Sequence, residues 1–180
     1  MKNFLSIFTL LVVSFIFLIG CNNSNNSASV SEAESTVTKT TVLGKSTNDE
    51  TNWKTTTYEV VNNFHGVSIT VKNETVSNNG LTVVFENNSN KMCIYGEEFL
   101  LEKKINGEWY QVPVAIEGNY GFKSIGYEVA SGQTREWSVE WQWLYRSLGA
   151  GEYRIVKNVL DFRQPGDYDT YFLAAEFSIH

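Results

Sequence analysis

Histidine, cysteine and positive charge are all scarce in this 180-residue chain. Two histidines, two cysteines and 14 lysines and arginines stand against 20 aspartates and glutamates, a formal net charge of -6. Each shortage excludes something. A chain this acidic does not work by neutralising phosphate backbones, so no nucleic-acid partner is expected. Two cysteines cannot build the disulfide framework of a mini-protein. His65 and His180 have no histidine or cysteine at ligand spacing, so no metal site is expected. The Gly-x-Ser-x-Gly, His-Glu-x-x-His and phosphate-loop patterns are missing too. No catalytic residue and no cofactor is assigned, and the chain reads as a non-enzyme. What is plentiful is apolar and aromatic: 42% and 14% of the residues, too much for a chain disordered throughout.

Long apolar runs are also lacking, with one exception. Lys2 precedes a run from Phe4 to Ile19 broken only by Ser6, Thr9 and Ser14. Sixteen helical residues span about 24 Å, short of the roughly 20 residues of a spanning helix. A positive start, a short apolar stretch and a small residue before a cut site form a secretory signal. Leu18-Ile19-Gly20-Cys21 resembles the lipobox of bacterial lipoproteins. That resemblance implies diacylglycerol on the Cys21 thiol, cleavage before it, acylation of the new amino terminus, and residence on the outer face of the cell membrane. Two or more acyl chains anchor stably where one binds only marginally.

Residues 21–52 contain no aromatic residue, and 18 of the 32 are Ser, Thr or Asn. Such a stretch cannot bury enough apolar surface to offset its ordering entropy. It is expected to be a disordered tether, reaching roughly 30 Å as a coil and about 100 Å at full stretch. Losing residues 1–20 removes Lys2 and leaves 13 positive against 20 negative side chains. Repulsion from an anionic membrane then favours a domain held clear of it.

From residue 53 to 180 the pattern alternates with period two. Leu81, Val83 and Phe85 share one face; Trp137, Val139 and Trp141 share another; Leu173, Ala175, Phe177 and Ile179 repeat the pattern near the C-terminus. This is the signature of half-buried strands. Turn signals separate them: Asn78-Asn79-Gly80, Ser131-Gly132, Pro165-Gly166, and Asn106-Gly107 between 99–105 and 108–114. The last is a strong hairpin signal, because both turn residues must accept positive φ. The expectation is an all-β antiparallel sandwich of about seven to nine strands. Residues 141–148 could instead hold one short helical turn. Leu148-Gly149-Ala150-Gly151-Glu152-Tyr153 looks like a tyrosine corner, in which Tyr153 would bond the backbone of the preceding turn.

Phe85-Glu86-Asn87-Asn88-Ser89-Asn90, Tyr95-Gly96-Glu97-Glu98-Phe99, Leu101-Glu102-Lys103-Lys104 and Gly107-Glu108-Trp109-Tyr110 extend the likeness beyond architecture. With Trp143-Leu144-Tyr145-Arg146-Ser147-Leu148, Gly151-Glu152-Tyr153-Arg154-Ile155 and Ala175-Glu176-Phe177-Ser178-Ile179, they are similar to a bacterial immunoglobulin-like domain family of secreted and lipoprotein chains in Gram-positive bacteria. The resemblance spans about residues 67–179 and implies an immunoglobulin-like fold with no known enzymatic activity. Family members often carry glycine where Arg146 stands. The family pattern puts Trp109 in the core.

Three features remain as functional leads. Trp143 and Tyr145 form a possible ligand platform, since exposed flat rings stack on sugars or anchor a protein partner. Asp161, Asp167 and Asp169 fall within one expected connecting loop. Calcium favours several oxygens so placed, although the spacing matches no EF-hand and Arg163 counters the charge. Cys93, without a partner once Cys21 is acylated, is expected to be buried near a strand start.

The functional expectation is therefore a lipid-anchored binding or surface-architecture module. A cell-wall glycan binder and an inhibitor of an extracytoplasmic enzyme are the alternatives. A row of exposed aromatics would favour the first alternative, a protruding loop with an apolar tip the second.

Overall fold

The computed structural model describes residues 52–180. The expected signal segment 1–20, the acylated Cys21 and the tether as far as residue 51 lie outside the described residues.

Among the described residues, nine strands and one α-helical turn follow the turn signals, with a 3-10 turn at Asn73–Thr75. They are β1 (Val67–Val71), β2 (Gly80–Asn87), β3 (Cys93–Tyr95), β4 (Leu100–Ile105), β5 (Glu108–Gln111), β6 (Tyr127–Val129), β7 (Thr134–Glu140), α1 (Gln142–Tyr145), β8 (Gly151–Gln164) and β9 (Asp167–Ile179). β1, β2 and β7 form a three-stranded sheet, and the other six strands form the second. The pairings are antiparallel, so the architecture is the expected all-β sandwich.

β8 is the spine of the larger sheet. One of its edges pairs with β9 from Gly151 to Gln164. Its other edge is shared: β4 pairs with Tyr153–Val156 and β3 with Val159–Asp161. Residues 96–99 bulge out between these two partners. β5 then extends β4, and β6 extends β3.

Alternation builds the core as the sequence leads one to expect. Val83 lies opposite Trp137 and Leu81 opposite Val139, all buried. Phe85 stacks on Tyr95 of the other sheet with ring centroids 3.8 Å apart, and Trp141 stacks on Phe177 at 5.6 Å. Each such side chain contributes about 1.5–3 kcal/mol by leaving water. Asn106 and Gly107 take φ of 54° and 90°, as a tight hairpin requires. At Gly80 a Cβ would lie 2.4 Å from the Val139 carbonyl oxygen, so only glycine lets β2 approach β7 this closely.

Two irregular segments complete the domain. Residues 53–63 form a strap across the outer face of the larger sheet. At one end, Gln111 N–H donates to Lys54 O (2.8 Å) and Thr56 N–H to Trp109 O (2.9 Å), which pins the strap to β5. At the other, Asn62 N–H donates to Phe172 O (2.7 Å), and the Asn62 side chain accepts from Ala174 N–H (2.9 Å), which pins it to β9. Beneath the strap lies the ion pair of Glu102 with Arg154 (2.6 Å), both buried. The strap itself binds this pair, because Arg154 Nη2 donates to Thr56 Oγ1 and to Tyr58 O. The second segment, residues 112–126, is a 15-residue loop between β5 and β6. Connections this long without secondary structure are uncommon and usually functional.

Two expectations are corrected and one is borne out. Residues 161–169 are not a loop: β8 and β9 run through them to a tight turn at Pro165-Gly166. The short helical turn allowed for within residues 141–148 is present as α1, and it sends Trp141 and Trp143 apart, one buried and the other 47% exposed. Trp109 is not in the core. It pairs with Lys104, two residues along from Glu102, and so shares their outward face, where the Arg154 guanidinium lies 4.6 Å from its ring centre.

Candidate functional site

The bulge at residues 96–99 exists because β8 cannot pair with β3 and β4 continuously. Its exposed backbone needs partners, and Lys157 supplies them. The Lys157 side chain is buried, its ammonium donates to the carbonyls of Gly96 and Glu98, and it lies 4.0 Å from the Trp137 ring centre. Burial pulls this amine down to about 7, against the opposing pull of Glu97 and Glu98. One lysine from inside the core thus ties down two carbonyls of the bulge.

Between the bulge and the loop runs a groove of about 830 Å3, within the usual range for ligand sites. Val156, Asn158 and Leu160 of β8 form its floor, and Tyr58 of the strap and Phe172 of β9 close one side. The two rings pack with centroids 4.9 Å apart. The opposite wall is the loop segment Tyr120-Gly121-Phe122-Lys123-Ser124-Ile125-Gly126. Tyr120 is 47% exposed and Ile125 43%, among the few large apolar side chains left in water. The loop is tied at its root by Val112 N–H to Leu101 O and Ala115 N–H to Leu144 O.

Trp143 and Tyr145 part company. Trp143 is 47% exposed and packs edge-on against Phe122 (5.7 Å, 75°) and Tyr120 (6.4 Å, 71°). Tyr145, two residues along a helical turn, is only 5% exposed, yet it is among the residues that line the groove. Its ring packs on Phe99, and burial holds its hydroxyl well above the usual tyrosine value. The pair therefore forms no shared platform. Trp143 instead joins Tyr120 and Phe122 in a three-ring cluster at the mouth of the groove. Sequence reasoning passed over the loop because it has no period, although aromatics interleaved with Gly118, Gly121 and Gly126 were a signal of a built surface loop.

The remaining candidates have structural surroundings. Tyr153 donates its hydroxyl to the Gly149 carbonyl (2.9 Å) across the turn that leads into β8. Cys93 opens β3, fully buried, and burial pushes its thiol up to about 11, which keeps it an unreactive thiol. Asp161, Asp167 and Asp169 converge on Arg163, at 3.5, 2.7 and 3.0 Å. Lys91 also pairs with Asp161. Cationic side chains thus occupy the space a calcium ion would need. Among the described residues no group of three or more His, Cys, Asp or Glu could hold a metal ion. Among them, too, no helix is long and apolar enough to cross a membrane.

Residues 63–178 match a family model described as a bacterial Ig-like domain. No curated protein matches the chain. The family match begins where the strap ends, so residues 53–62 lie outside it.

Proposed function

The chain belongs to the bacterial Ig-like domain family, and from that premise we propose that it is a lipid-anchored surface protein whose groove binds a macromolecular partner without catalysing a reaction. Such domains are surface or binding modules, and sandwiches of this kind carry their function in grafted loops. The observation that carries the reading is the 15-residue loop. It sets Tyr120, Phe122 and Ile125 against a groove whose lining includes the bulge tied down by Lys157. Aromatic residues at a groove mouth are the usual energetic centre of a protein interface. A glycan platform is less well supported, because Tyr120 and Phe122 meet Trp143 edge-on rather than in a coplanar row.

In this reading acylated Cys21 holds the protein on the extracytoplasmic face of the membrane, and residues 21–52 space the domain from it. The test places a photo-crosslinking amino acid at Tyr120 in the intact chain on living cells. A discrete adduct is expected from that position and none from Tyr168, which is equally exposed but sits on the β8–β9 hairpin. Adducts of equal yield from both positions, or none from Tyr120, sink the reading. Cys21→Ser should at the same time move the protein from the membrane fraction to the medium.

A further inference from the structure

The groove has a chemical bias that its shape alone does not convey. Its accessible walls are aromatic, with Tyr58, Tyr120, Phe122 and Phe172 around one volume. Its rim carries two carboxylates. Glu97 is engaged by the Tyr127 hydroxyl, whereas Glu98 is exposed. Negative charge reaches the inner wall too: after burial, Glu98 raises the Tyr58 hydroxyl, and Glu102, which also raises it, is already paired with Arg154. Aromatic faces beside a carboxylate attract an organic cation twice, through the ring quadrupole and through charge. The protein already satisfies a cation in this way internally, where Lys157 rests on Trp137 and Tyr95. Lys157 does not fill the groove's own requirement, because its ammonium is turned to the carbonyls on the core side of the bulge. The single cation on the groove's lining surface is Lys123, exposed on the loop side of the rim.

We propose that the groove accepts an extended peptide of a partner protein and seats a lysine side chain of that peptide between the rings of Tyr58 and Phe172 and the carboxylate of Glu98. The volume of about 830 Å3 exceeds what one ammonium group needs and suits several residues of chain. The long lysine stem lies along the rings while its head reaches the carboxylate. This rests on the groove being the binding face, as argued above.

The test titrates the full-length chain with a blocked Ala-Ala-Lys-Ala-Ala peptide and follows backbone amide shifts by NMR. Shifts are expected at residues 96–99 and 120–126. The norleucine peptide, which keeps the stem and loses the charge, should bind about 5-fold more weakly. Glu98→Gln should weaken the lysine peptide by a similar factor, and Lys123→Gln should tighten it about 2-fold by removing a like charge. The sign of the Lys123→Gln effect is decisive: weaker binding of the lysine peptide overturns the proposal. Equal binding of the norleucine peptide overturns it as well. Displacement of the peptide by an equal concentration of choline would show a site for free quaternary ammonium and not for a peptide. If crosslinking at Tyr120 succeeds while the lysine preference is missing, this proposal fails and the binding face stands. If the peptide shifts no groove amide and no Tyr120 adduct forms, both fail together.

Discussion

The strap and the loop are both irregular segments on the larger sheet's side of the domain, and they differ in how they are held. The strap, 11 residues long, is bonded at both ends to sheet edges and in the middle to a buried guanidinium. The loop, 15 residues long, is bonded at its root and presents aromatic side chains beyond it. A segment bonded at its ends and middle to a scaffold adds stability; one that keeps exposed rings and glycines adds a surface. Both line the groove, the strap with Tyr58 alone and the loop with residues 120–126. Changes to the strap should therefore cost folding, and changes to the loop should cost binding.

The largest effect is expected beneath the strap. Arg154→Ala leaves Glu102 buried without its partner and removes the strap's central anchor, which should cost about 3–5 kcal/mol. Denaturant unfolding measures it, and a loss below about 1 kcal/mol would mean that the strap is a passive covering. Lys157→Met tests the bulge at residues 96–99. It strands the Gly96 and Glu98 carbonyls, at a cost of about 1–3 kcal/mol, and the cost should grow with pH. The folded amine sits near 7 against an ordinary 10.5. Between those values the unfolded chain holds a proton that the folded chain lacks, so this group's contribution rises with pH through that window. Below pH 7 both states are protonated and the full burial cost is present. Melting curves at pH 6 and pH 9 should show the wild type losing its advantage over Lys157→Met at the lower pH; parallel curves contradict the assignment.

A smaller effect, of opposite sign, is expected at the root of the loop. Arg146 follows α1 with φ 59° and ψ -164°, a region that belongs almost wholly to glycine. Arg146→Gly should stabilise by about 1 kcal/mol, visible as a raised Tm. At the loop's far side, Tyr120→Ala and Trp143→Ala should each change stability by less than about 0.5 kcal/mol while abolishing the Tyr120-face interaction. A cooperative destabilisation by either would show that the loop is part of the core after all.

The sequence was legible where periodicity carries physical meaning. Alternation located the strands of Leu81, Trp137 and Leu173, and Asn106-Gly107 located a hairpin, because a buried face and a positive φ leave direct marks on residue choice. Arg146 was visible as a departure from the family pattern, and the strained backbone there is its physical counterpart. Trp109 and Tyr145 were misread for a common reason. Whether a ring points inward depends on register, and one helical turn or one strand pairing reverses it. The carboxylates at 161–169 suggested a loop because charge and proline accompany loops. Extended hairpins carry the same residues, and Arg163 needed the pairing of β8 with β9 to meet all three.

By itself the sequence determined the sandwich, its turns and which residues alternate into its core, since these follow from local spacing and the cost of wetting apolar surface. Only the tertiary structure decided that residues 53–63 become a strap. Those residues have no period of their own and are ordered by edges of β5 and β9, which lie more than 40 residues away along the chain. It also decided that the break between β3 and β4 opens a groove, since a lysine in the middle of β8 reads in sequence as an outward charge. Folded, Lys157 turns inward, where its amine donates to the Gly96 and Glu98 carbonyls that strand pairing leaves unmatched.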